Sequence, residues 1–216
     1  MRVFAHEFKA FRGMLWRSPE RRAGSSVWPL MLTGAWVVAV FLGFLQFARY
    51  ERQPGEQVRA PREWPGESLQ LQLAGPTLVF AAHPKCPCTR AGLAELQRIM
   101  DRVGDRLQAY VVFLNLEGAE DSIEDSIQDA AQRIAGVKIL RDDGQAMRRF
   151  GALTSGQTYL YDEQGKLVFQ GGITPARGQM GDNAGTRAIL SYLTERTRDV
   201  ELTPAYGCPL FSAQAP

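Results

Sequence analysis

The chain has 216 residues, with 25 Lys and Arg against 23 Asp and Glu and a formal net charge of +2, a balance that implies no nucleic-acid or other polyanionic partner. Its length gives room for one or two domains with an ample buried core. Of its two histidines, His6 and His83, only His83 lies beyond the long apolar run near the N-terminus, and no Ser/His/Asp set is supported around it.

The first 26 residues are basic. Six Lys and Arg (Arg2, Lys9, Arg12, Arg17, Arg21, Arg22) face only Glu7 and Glu20. Phe4, Phe8, Phe11 and Leu15 recur at helical spacing among these charges, a pattern suited to an anionic membrane surface. Residues 27–48 then run for 22 positions without a charge. At about 1.5 Å per residue such a helix spans roughly 33 Å, enough for a bilayer core. Trp28 and Tyr50 sit near its ends, where amphipathic rings favour the interface. The run is too long for the apolar region of a cleaved signal peptide and lacks an A-x-A-like exit. The basic flank predicts the N-terminus on the cytoplasmic side. Residues 49–67 shift to Pro, Gly, Gln, Glu and Arg and read as a linker, leaving 68–216 as one domain.

Within that domain strand and helix signals alternate. Thr77 to Ala82 is a short apolar run expected as a buried strand, and Leu93, Leu96, Met100 and Val103 form a helical stripe. Tyr110 to Leu116 reads as a second strand. Ile123, Ile127, Ala131 and Ile134 give a further helix, with Ser122 and Asp125 spaced as a capping pair. A brief strand over Val137–Leu140, a short helix over Asp143–Phe150, and a hairpin from Thr158 to Gln170 around Asp162–Gly165 follow. Ala184 to Arg198 closes as a helix capped by Asp182 or Asn183. The expectation is an α/β fold, a mixed sheet covered by helices and preceded by one transmembrane helix.

The chemistry concentrates in His83-Pro84-Lys85-Cys86-Pro87-Cys88, between the first strand and its helix. Pro87 pushes Cys86 out of the α region and suits the first helical position, which makes Cys86 the N-cap. There, free N–H groups and the helix dipole favour a thiolate, and Lys85 and Arg90 add positive charge. Cys86 is therefore the expected nucleophile, with Cys88 its partner one step into the helix and less exposed. A disulfide between residues i and i+2 closes only in a turned conformation, and strain would make it readily reducible. Cys208, in Tyr206-Gly-Cys-Pro-Leu210, is either a resolving thiol or a staple for this segment. His83 is read as a neighbour that tunes the thiolate. The competing reading makes His83, Cys86, Cys88 and Cys208 a soft donor set for Cu(I) or zinc. The loop Gly171–Gly185 is glycine-rich without the ending of a phosphate loop, and Arg177 within it is a loose site candidate.

The segments HPKCPCTRAGLAEL (83–96), TSGQTYLYDEQGKLVFQGGIT (154–174), RGQMGDNAG (177–185) and YGCPLF (206–211) resemble membrane-anchored thioredoxin-like proteins of the TlpA and peroxiredoxin-like type, and most of all the RedB family. The resemblance implies a thioredoxin fold with its redox centre at Cys86 and Cys88. Two departures stand out. The usual C-G-P-C spacing is shortened to Cys86-Pro87-Cys88, and the family's cis-proline has no counterpart near Gly156-Gln157. That proline helps keep metal off the cysteine pair, so its loss keeps metal binding in play.

Three functions follow as expectations. The first is a thiol–disulfide oxidoreductase anchored in a bacterial inner membrane and facing the periplasm. Its catalytic residues are Cys86, Cys88, His83 and Cys208, it needs no cofactor beyond a redox-active disulfide, and its partners are protein thiols or disulfides and an external electron donor. The second is a copper or zinc metallochaperone for respiratory-complex assembly using the same cysteines. The third is a silent scaffold stapled by Cys88 and Cys208.

Overall fold

A computed structural model describes residues 27–65, 71–115 and 122–211, the side chains of 122–125 excepted. The amphipathic pattern at Phe4–Leu15, the basic flank and the Ser122/Asp125 capping pair lie outside the described residues or side chains.

The chain divides into two units, 1–44 and 45–216. Helix α1 (Trp28–Glu51) contains an 18-residue stretch of mean hydropathy 2.0, none of its residues is buried, and it is long and apolar enough to cross a membrane. It runs three residues beyond the charge-free stretch, because Arg49, Tyr50 and Glu51 continue the same helical ladder.

The second unit is built on β1 (Thr77–Ala82), α2 (Pro87–Val103), β2 (Gln108–Leu114), α3 (Ser122–Gln132), β3 (Val137–Asp142), α4 (Gln145–Phe150), β4 (Gln157–Tyr161), β5 (Leu167–Gly172) and α5 (Ala184–Glu195). The strands form one five-stranded sheet in the order β3-β2-β1-β4-β5. β1 runs parallel to β2 from Thr77↔Gln108 to Ala82↔Phe113, and antiparallel to β4 from Thr77↔Tyr161 to Phe80↔Thr158. The expected mixed sheet is therefore present, with the apolar run Thr77–Ala82 at its centre.

β1 is buried at every position because both faces of the sheet are covered. Leu78, Phe80 and Ala82 point to one face, against Leu93, Leu96 and Ile99 of α2 and Ile189 of α5. Val79 and Ala81 point to the other, against Tyr159, Tyr161, Met147 and Phe150. Contact with α2 is closest at Gly92, where an added Cβ would stand 2.6 Å from the Phe80 ring.

Residues 55–64, read from composition as a spacer, are bound to this second face. The Gln170 side chain accepts from the Ala60 N–H (2.8 Å) and donates to the Val58 carbonyl (3.0 Å). Leu167 N–H donates to Arg62 O (2.8 Å), and Trp64 stacks edge-on to Phe150 and Tyr161. Composition registered the Pro and Gly of this stretch but not the apolar face it covers.

The last helix stops at Glu195 rather than Arg198, since Arg196 takes a left-handed conformation (φ 60°) and donates its N–H to Tyr192 O. Asn183 is its N-cap and accepts from Thr186 N–H. Between them, α5 and the loop before it border the carboxyl end of β1, where the cysteines lie.

Candidate functional site

β1 ends at Ala82, and five residues later α2 begins with Pro87. Cys86 is extended (φ −90°, ψ 116°) and occupies the N-cap position, as Pro87 requires. The turn is closed by Cys86 N–H to His83 O (3.1 Å) and Thr89 N–H to Cys86 O (3.0 Å). The Cys86 sulfur makes no formed capping bond. The nearby Cys88 N–H acts on it instead as an oriented dipole.

Opposite this turn lies the segment before β4. Gly156 N–H donates to Ala81 O (2.7 Å), which fixes Thr154 and Ser155 beside the end of β1. The Gln157 side-chain oxygen accepts from the N–H groups of Leu153 (2.6 Å) and Thr154 (2.7 Å) and stiffens the segment. Ser155 joins the pieces. Its hydroxyl accepts from His83 N–H (2.9 Å) and shares a hydrogen bond with the Thr89 hydroxyl (2.9 Å).

Cys208 reaches the same place on a strap, residues 206–210, that pairs with the segment before β4. Ser155 N–H donates to Cys208 O (2.8 Å), Leu210 N–H donates to Leu153 O (2.8 Å), and Thr154 and Pro209 form an antiparallel bridge. Gly207 allows the approach, because any Cβ there would overlap the Ser155 carbonyl. Arg177 holds the strap from the other side, its guanidinium donating to Gly207 O (2.5 Å). The Arg177 loop is itself tied to α2 through buried Glu95, whose carboxylate accepts from Gly181 N–H (2.8 Å).

All three cysteines are free thiols. The Cys86 sulfur accepts from the thiols of Cys208 and Cys88, and these bonds hold its pKa far below the ordinary thiol range despite burial. Cys88 and Cys208 move the opposite way. Each keeps its proton and donates it in a hydrogen bond to the Cys86 sulfur, and burial adds to the rise, while the Arg177 charge partly counters it. The cluster thus carries one negative charge, centred on Cys86.

The exposure order differs from the sequence expectation. Cys86 is 1% exposed, whereas Cys88 and Cys208 are half-buried. The N-cap sulfur is roofed by the other two, and the roof includes a segment more than a hundred residues downstream that helix position alone does not reveal.

His83 lies on the turn before Cys86, where its Nδ1 accepts from Lys85 N–H (3.1 Å). That contact makes Nδ1 an acceptor and fixes the ring in the loop. Among the described residues no group of three or more His, Cys, Asp or Glu side chains is arranged to hold a metal ion. Arg177, a loose candidate in the sequence, does stand at the cysteines. Ser155, Thr89 and Gly178, whose N–H acts on the Cys88 sulfur, were not singled out. The hydroxyl in Thr154-Ser155-Gly156, just ahead of a β-rich run, was the available signal for Ser155. Among the described residues no peptide bond is cis, the segment before β4 included.

No protein-family model and no curated protein matches the chain. Solved structures do resemble it. A hypothetical protein from Sinorhizobium meliloti 1021 is 19% identical with a TM-score of 0.56, over 74% of this chain and 98% of its own. An uncharacterized conserved protein from Geobacillus kaustophilus is 18% identical with a TM-score of 0.53, over 76% and 94%. A thioredoxin-like protein solved in its oxidized form is 21% identical with a TM-score of 0.42, over 68% and 97%. The first two share this chain's fold.

Proposed function

We propose that this chain is a membrane-anchored thiol–disulfide oxidoreductase whose working centre is the sulfur cluster of Cys86, Cys88 and Cys208. The observation that carries the reading is the gathering of three unpaired cysteines at one place, Cys86 as the N-cap of α2, Cys88 in its first turn, and Cys208 brought to them by the strap paired with residues 153–155. Structural cysteines are inert because they are buried neutral or already paired; three unpaired thiols sharing one charge are poised for exchange. Ser155 and Thr89 fix the turn that carries Cys86, and His83 shapes that turn through Lys85.

The centre would take two electrons from, or give two electrons to, a protein dithiol–disulfide pair, with two of its own sulfurs closing into a disulfide. It needs no cofactor for this, only an external electron donor. Helix α1, apolar on all sides with nothing in the described structure burying it, supports an inner-membrane anchor. The basic N-terminal flank supports a cytoplasmic N-terminus and a periplasmic sulfur centre, in a compartment where disulfides persist.

Labelling intact cells and spheroplasts with a membrane-impermeant maleimide tests the placement. After mild reduction the cysteines should label from the periplasmic side without cell lysis. Labelling only after the cytoplasm is opened would overturn it.

A further inference from the structure

We infer that Cys208, carried by the strap 206–210, is the sulfur that first meets the partner's disulfide, and that buried Cys86 is the resolving thiol. The inference rests on the oxidoreductase reading and assigns the order within it. Its ground is access. A disulfide in a folded or extended protein cannot reach Cys86, which is 1% exposed; Cys88 and Cys208 are both half-buried, and of these Cys208 is assigned because a Cys86–Cys88 disulfide, between residues i and i+2, closes only in a turned conformation.

The strap's attachment fits this role. It is an extended segment paired antiparallel with 153–155 through Ser155 N–H to Cys208 O and Leu210 N–H to Leu153 O, with Gly207 pressed on the Ser155 carbonyl. Both residues flanking Cys208 are fixed, Pro209 by its bridge to Thr154 and Gly207 by the Arg177 guanidinium. The backbone on both sides of Cys208 is therefore held in place. Arg177, cationic and acting on both Cys88 and Cys208, favours negative charge on the outer sulfurs as exchange proceeds.

The steps balance. The Cys208 sulfur attacks one sulfur of the partner R–S–S–R′, forming Cys208–S–S–R. Its proton passes through the Cys86 sulfur to the leaving R′ sulfur, which departs as R′SH and leaves Cys86 as the thiolate again. The Cys86 thiolate then attacks the Cys208 sulfur, the Cys208–S–R bond breaks, and R leaves as a thiolate. The partner has gained two electrons, and the chain holds a Cys86–Cys208 disulfide with Cys88 still a thiol. A protein dithiol runs the sequence backwards.

The test uses full-length protein in detergent, fully reduced and then treated with glutathione disulfide, followed by mass mapping of the quenched product. In the wild type the expected product is a Cys86–Cys208 cross-link with Cys88 alkylated. In Cys86→Ser the expected product is glutathione on Cys208, trapped because nothing resolves it. A Cys86–Cys208 cross-link forms whichever of the two attacks first, so Cys208→Ser supplies the second test of order: glutathione should then stay off Cys86, and its accumulation there overturns the assignment. A Cys86–Cys88 cross-link, or glutathione accumulating on Cys86 or Cys88 instead, overturns the assigned order and leaves the oxidoreductase reading standing. No exchange at any cysteine of folded wild-type protein overturns both.

Discussion

Ser155 donates its backbone N–H to the carbonyl of Cys208 at 2.8 Å, while its hydroxyl accepts from the N–H of His83 at 2.9 Å. One residue thereby registers the strap that carries Cys208 against the turn that carries Cys86. The sulfur cluster is a product of this pairing as much as of the Cys86-Pro87-Cys88 run.

Gly207→Ala tests that dependence. A Cβ at this position would overlap the Ser155 carbonyl, a backbone atom with no room to give. The strap should lift, Cys86 should lose its Cys208 donor, and the Cys86 pKa should rise toward the ordinary thiol value. Thiolate absorbance in the ultraviolet, followed against pH, reads this directly. An unchanged titration would show that Cys208 does not hold the Cys86 charge.

The thiols also make the stability of the reduced protein depend on pH. Cys86 is lowered, so below the ordinary thiol pKa the unfolded chain binds a proton that the folded chain has released. Its contribution is therefore fully present above the ordinary thiol value and fades as pH falls toward the lowered one. Cys88 and Cys208 are raised, and their contribution is lost as pH climbs past the ordinary value. Urea denaturation of reduced wild type minus Cys86→Ser should show a difference that grows from acid to neutral pH. A flat difference would contradict a folded-state thiolate.

Gly92→Ala sets two effects against each other. Replacing a helical glycine gains about 1 kcal/mol of helix propensity. The new methyl would stand 2.6 Å from the tip of the fully buried Phe80 ring, and overpacking of this kind costs about 1–3 kcal/mol. The expected result is net destabilisation in urea melts, with the sulfur chemistry moved only as far as α2 shifts. Net stabilisation would mean that α2 and β1 are further apart than described.

Gln170→Ala should detach residues 55–64. The substitution strands the buried Ala60 N–H, at about 1–3 kcal/mol for a buried group left without a partner, and removes the part-buried bond to the Val58 carbonyl. Limited proteolysis should then cut in this stretch well before the domain unfolds. Cleavage no faster than in wild type would show that the aromatic contacts of Trp64 suffice to hold it.

Much of this was readable beforehand, for local reasons. Pro87 dictated the extended Cys86 and the start of α2, and the unbroken apolar run at Thr77–Ala82 announced a strand covered on both faces. Asp162 to Gly165 marked the hairpin turn. What stayed hidden depends on contacts distant in sequence. Cys86 looked exposed because an N-cap usually is, and only the strap from 206–210 closes over it. Residues 55–64 looked like a spacer because composition cannot report that Gln170, more than a hundred positions away, brackets their backbone. Arg177 sat in a loop with no periodicity, and it is Glu95 on α2 that aims that loop at the cysteines.

The central claim is that the three sulfurs form a reversible redox couple. Equilibrating the full-length protein in detergent across a series of glutathione redox buffers, then counting free thiols after acid quenching, measures it directly. The account predicts a single two-electron transition in which two of the three thiols disappear on oxidation and return on reduction. Thiols that stay free throughout, or that oxidise without returning, would contradict it.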